Sequence, residues 1–108
     1  MNTLVWRREI ATAASAGDVV KVVNRLFDGL DSCDLMELPP ECRERRIETP
    51  QDVAYFAFAL ADAALADDAL HLVREVSLVL GEASTRIAAI ALANHRSAEL
   101  QSTVVPRE

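Results

Sequence analysis

The residues in this chain that could do chemistry are few and widely spaced. There are two histidines, His71 and His95, and two cysteines, Cys33 and Cys42. A zinc site needs three or four such ligands converging on one point, usually announced by CxxC, HxxxH or HExxH spacing, and none of these occurs. Ligands would have to come from three distant places, so neither a metal nor a cofactor site is expected. Nucleophilic or acid–base catalysis needs a second polar group beside the reacting one. No Ser–His pair, no paired carboxylates in a Gly-rich setting and no phosphate loop is present, so no catalytic residue is expected and the chain reads as a non-enzyme. Asp62 is the one charge between Val53 and Ala66. A lone carboxylate buried among apolar side chains is costly, so Asp62 is expected to face water or to meet Arg25 or Arg74.

Two further groups lie in a polar connector. Cys33 and Cys42 are expected as free thiols in a reducing compartment, with a disulfide across the loop as the alternative. Arg43, Arg45 and Arg46 form the densest basic spot, but Glu41, Glu44 and Glu48 are interleaved with them and nearly cancel their field. The plain reading is a solvated turn. The sharper one is a docking surface for a charged partner, since an exposed turn between helices can form paired salt bridges.

The elements that must position these groups are all helices. Thr3 to Ala16 carries Trp6, Ile10, Ala13 and Ala14 on one face, with Gly17 expected to end it in the left-handed conformation and Asp18 to cap the next helix. Residues 18–30 place Val19, Val23, Leu26 and Leu30 on a stripe opposite Lys21, Asn24, Arg25 and Asp28. Pro39 and Pro40 forbid a helix running through the connector, and Glu41 to Ile47 is expected to form a short helical turn. Thr49-Pro50-Gln51-Asp52 is the clearest boundary: a capping residue, a proline where no hydrogen bond is lost, and an acid in the first turn.

From Pro50 to about Ala66 the sequence is apolar nearly all round, which predicts burial on several sides or half of an interface. Ala69, Val73, Val76, Leu80, Ala83, Ile87 and Ile90 then recur at alternating steps of four and three, the pattern of a helix packed lengthwise on others. This stripe is out of phase with the preceding helix, so a break is expected near Asp67-Asp68 and a second helix over 68–94. His71, Arg74, Glu75, Glu82 and Arg86 are placed toward solvent, and residues from His95 onward are expected to fray, with Pro106 closing off any later helix. The fold expected is all-α: a bundle of about four helices (3–16, 18–30, 50–66, 68–94) with a Pro-containing connector, forming a single helical domain over 1–108.

Composition narrows the partners. The net charge of −6 and pI near 4.8 oppose attraction to phosphate backbones or anionic lipid. Val53 to Ala66 is too short to span a bilayer, and the first residues lack the apolar core of a secretory signal. The expectation is a cytoplasmic protein with no membrane association, and the preference for Arg over Lys fits GC-rich bacterial coding.

One stretch carries a family resemblance. Thr49-Pro50-Gln51-Asp52-Val53-Ala54, the Ala-rich helix after it, the Asp67-Asp68 pair and the helix ending Leu80-Gly81 resemble bacterial addiction-module antidote proteins over less than a third of the chain. Ser77, Gly81 and Ile87 have the spacing of a DNA-binding helix-turn-helix, whose recognition helix would present Ser84, Thr85, Arg86 and Ala89 to the major groove, and the resemblance implies a regulator of that type. After Gly81 it fails, because Thr85 to Arg96 supplies no second turn and no basic recognition helix. The four-three repeat also passes through Gly81 in phase, which predicts an unbroken helix. Nucleic acid is therefore the alternative, and the leading expectation is a small adaptor, chaperone or toxin-neutralising protein. It would act through protein–protein contact, self-association included, with Val53, Phe56, Phe58 and Leu60, or exposed members of the long-helix stripe, as the binding face.

Overall fold

The computed structural model describes residues 2–104, with side chains described for residues 2–98, and the described chain is all-helical with no strand. Six helices follow one another: α1 (Thr3–Ala11), α2 (Ala16–Asp28), α3 (Ser32–Glu37), α4 (Pro40–Glu44), α5 (Pro50–Ala64) and α6 (His71–Val104). The connector thus holds two short helices where a single turn over Glu41 to Ile47 was expected. Asp31 caps α3 by accepting the Asp34 amide at 2.8 Å, and Pro40 opens α4 at a position needing no amide donor. Ile47 falls outside α4 and is buried, with its carbonyl accepting the Asn24 side-chain amide at 2.9 Å. Asn24, expected toward solvent, instead pins the connector to α2.

The first turn also departs from the sequence reading. Helix α1 stops at Ala11 rather than Ala16, because the Thr12 hydroxyl bonds back to the carbonyls of Arg8 and Glu9 and Ser15 takes over the capping of α2. Ser15 Oγ accepts the Asp18 amide at 3.1 Å. Gly17 therefore sits inside the first turn of α2, and no described residue has a positive φ.

The boundary at Thr49 forms as its residues dictate. Thr49 Oγ1 accepts the Asp52 amide at 3.2 Å, while the Asp52 carboxylate accepts the amides of Thr49 at 3.1 Å and Glu48 at 3.0 Å. Arg45 adds an ion pair to Asp52 at 3.0 Å. At the other end, residues 65–70 form the break expected near Asp67-Asp68, and Arg74 donates to the carbonyls of Ala66 and Asp67 within that break, tying it to the first turn of α6. Helix α6 begins three residues later than expected, at His71, and runs past Asn94 rather than fraying at His95. Ala91, Leu92, Ala93 and Ala98 are strong helix formers and nothing among them interrupts the backbone ladder; Pro106 lies outside the described residues.

The core gathers around α6, which packs on α5, α1 and α2. Its inward stripe of Val73, Val76, Val79, Leu80 and Ala83 is buried, with Ile87 and Ile90 half-buried beyond it. Against it lie Val53, Phe56 and Leu60 of α5, Val19, Val23 and Leu26 of α2, and Ile10 of α1. Phe27 and Phe56 meet edge to face with ring centroids 5.7 Å apart. At 34 residues α6 is about 51 Å long, and it sets the long axis of a molecule measuring 64 × 23 × 22 Å.

The α5 capping box generates a stability prediction. Thr49→Ala should cost about 1 kcal/mol in denaturant unfolding. The amides of Glu48 and Thr49, with Arg45 beside them, hold the Asp52 carboxyl below the usual carboxylate range. Its contribution is therefore complete above the unfolded-state value and fades as pH falls through the lowered folded-state value. Asp52→Asn should be less stable than the parent at pH 7, with the gap closing toward acid. A gap constant with pH would contradict this assignment.

Candidate protein-binding face

The structure separates the residues expected to act together. Val53, Phe56 and Leu60 are buried at 0%, 1% and 0% exposure in the chain's own core, so they are closed to a partner. Phe58, on the opposite side of α5, is 77% exposed. Helix α5 is thus not buried on several sides, as one reading of its composition had it. One face packs on α6, and the other carries apolar side chains into water.

Helical geometry shows why. With 3.6 residues per turn, Val53, Phe56, Leu60 and Ala64 fall on one side, while Ala54, Phe58, Ala61 and Leu65 fall on the other at steps of four, three and four. Helix α6 repeats the arrangement: Leu78, Gly81, Thr85, Ala88 and Leu92 run at steps of three and four on the side opposite its buried stripe. Leu65 is 82% exposed, Leu78 47% and Leu92 51%. Between the two helices lies an open groove of about 580 Å³, lined by Ala57, Ala61, Ser77, Leu78, Gly81, Glu82 and Thr85. The outward stripe has the same spacing as the inward one, so its signal was present in the sequence but indistinguishable from the core pattern.

Charged groups frame this face and are tied to the body. Arg7 pairs with Glu82, Nε and Nη2 reaching Oε1 at 2.9 and 2.6 Å. Arg86 donates twice to the Ala13 carbonyl, at 3.2 and 2.7 Å. Both Glu82 and Arg86 were expected to be free in solvent, but instead they lock α6 to the α1 region. Asp62 is exposed, whereas Arg25 pairs with Glu9 and Arg74 with the two carbonyls already described. His71 Nε2 lies 2.5 Å from Glu75 Oε1, one turn along, as its spacing suggested.

The arginines form a separate feature. Arg43, Arg45 and Arg46 are all exposed and line a cavity of about 580 Å³ under the connector, whose apolar walls include Phe27, Leu35, Ile47 and Phe56. Arg45 is held by Asp52 and stacks over the Tyr55 ring at 4.7 Å. Arg43 Nη1 reaches Met36 Sδ at 3.4 Å. Asp28 and Glu44 share the rim. No group of three or more His, Cys, Asp or Glu side chains among the described residues is arranged to hold a metal ion.

Helix α6 runs unbroken through Gly81, as the four-three repeat predicted, so no helix-turn-helix corner forms there. One stretch, His71–Ala98, is long and apolar enough to cross a membrane by length and composition. No family model, curated protein or solved structure matches the chain.

The two cysteines are free thiols in unlike surroundings. Cys33 is exposed and Cys42 buried, and burial, followed by the Glu41 charge, pushes the Cys42 thiol up to about 12. In the native protein at pH 8, the exposed Cys33 should react with a thiol reagent without denaturant, and the buried Cys42 only after denaturant is added. Equal rates for both would contradict this placement.

Proposed function

We propose that this is a non-enzymatic protein that works by binding another protein along the outward face of α5 and α6. The observation that supports it is the exposure of Phe58, Leu65, Leu78 and Leu92 on one side of the α5–α6 pair. Large apolar side chains gathered along one face, rather than scattered singly, mark association sites. On this reading α1, α2, α5 and α6 act as a four-helix bundle in a single domain, α3 and α4 close its connector, and the outward groove is the working surface. A cytoplasmic setting fits two free thiols and net charge −6.

A membrane role for α6 is disfavoured by how its charges are used. Glu82 and Arg86 lie in the middle of the apolar stretch and bond to Arg7 and to the Ala13 carbonyl. Those bonds would have to be broken, or α1 carried along, for the helix to enter lipid. DNA binding is disfavoured in the same way, because Arg86, the one cation of the would-be recognition helix, is already bonded to the chain itself.

A photo-crosslinking amino acid placed singly at Phe58, Leu65 and Leu78 should give protein adducts in source cells, and none when placed at Lys21 on the polar side of α2. Adducts with lipid only, or no adducts at all from the three positions, would overturn this reading.

A further inference from the structure

We propose that the occupant of this face is a second copy of the chain, its α6 running antiparallel along the first copy's α5–α6 groove. The proposal rests on the protein-binding reading above and names the partner for that same surface.

Three observations converge on it. The first is an overhang. Helix α5 has 15 residues against 34 in α6, so the far end of α6 extends beyond its neighbours, and residues 91–98 are exposed without exception. This exposed end lacks the burial from which most helical stability in proteins comes. The groove lies on the other half of the same helix, beside residues 77–85. An antiparallel copy placed in register brings the overhang of each chain into the groove of the other.

The second is Gly81. A glycine inside a helix costs about 0.5–1 kcal/mol relative to alanine, and a Cβ at Gly81 would meet nothing within 4 Å. No contact among the described residues therefore calls for glycine at this position. In the antiparallel register, layers pair Gly81 with the partner's Leu92 and Thr85 with the partner's Ala88. A large side chain then enters a space that only a missing one leaves open. A parallel pairing would set Gly81 on Gly81 and leave a void.

The third is self-complementarity, which a two-fold interface requires because one patch must serve as both halves. Projection and groove occur on one surface here: Leu92 and Phe58 stand out from it, and Ala57, Ala61 and Gly81 recede. The outward stripes carry no charge, so two chains of net charge −6 can meet there without opposing like charges. The register also carries Arg96 of the overhang to the level of Asp62, the one acid in the apolar run of α5.

Sedimentation equilibrium over a wide concentration range tests this on the full chain. The expected result is a species of twice the 11.8 kDa monomer mass. Gly81→Leu and Leu92→Glu should each raise the dimer dissociation constant at least tenfold while leaving the far-ultraviolet helix signal intact. Neither position touches the core, so folding of the monomer is preserved. A monomer at every concentration, or a dimer that either variant leaves unchanged, would overturn the proposal. A monomer whose Phe58 position still crosslinks to a different protein would leave the protein-binding reading standing. A monomer with no protein crosslinks would remove both.

Discussion

The packing of the inward stripe of α6 is the interaction on which the rest of the structure depends. Val73, Val76, Val79, Leu80 and Ala83 are all buried, and α5, α2 and α1 each bury their apolar residues against them. With so few aromatic rings, the core is assembled from aliphatic and small side chains, and removing one large member such as Leu80 would open a cavity costing about 2–5 kcal/mol. The polar contacts between elements serve that packing. The Arg7–Glu82 pair and the Arg86 bonds to Ala13 fix the rotation of α6 about its axis, which determines the side that faces inward.

That rotation explains the other side. A helix with apolar residues at four-three spacing along two opposite lines can bury only one of them in a small bundle. Ala54, Phe58, Ala61 and Leu65 on α5 join Leu78, Gly81, Thr85, Ala88 and Leu92 on α6, and the described residues leave them exposed. The same α6 that organises the core thus creates an uncovered face, and its overhang supplies a segment of suitable shape to fill that face in another copy.

Much of the fold could be read from the sequence because its signals are local. Thr49-Pro50-Gln51-Asp52 set the start of α5 through hydrogen bonds within four residues, and the phase slip at Asp67-Asp68 marked the break before α6. What escaped reading depended on choices between nearby alternatives or on distant contacts. Ser15 rather than Asp18 capped α2, a competition between two good capping residues. Asn24 and Arg86 looked like solvent residues until the carbonyls of Ile47 and Ala13 came within reach. The proposed binding face was half legible. Phe58 was identified with Val53, Phe56 and Leu60, but composition alone could not show that the other three point into the core.

Amide hydrogen exchange along α6, measured at high and low protein concentration, tests most directly the claim that one side of this helix is covered by its own chain and the other by a partner. Amides beside the core, around residues 73–83, should exchange slowly at both concentrations, because the bundle protects them. Those of residues 88–98 should be protected at high concentration and exchange rapidly on dilution. Rapid exchange of the overhang at every concentration would contradict the account.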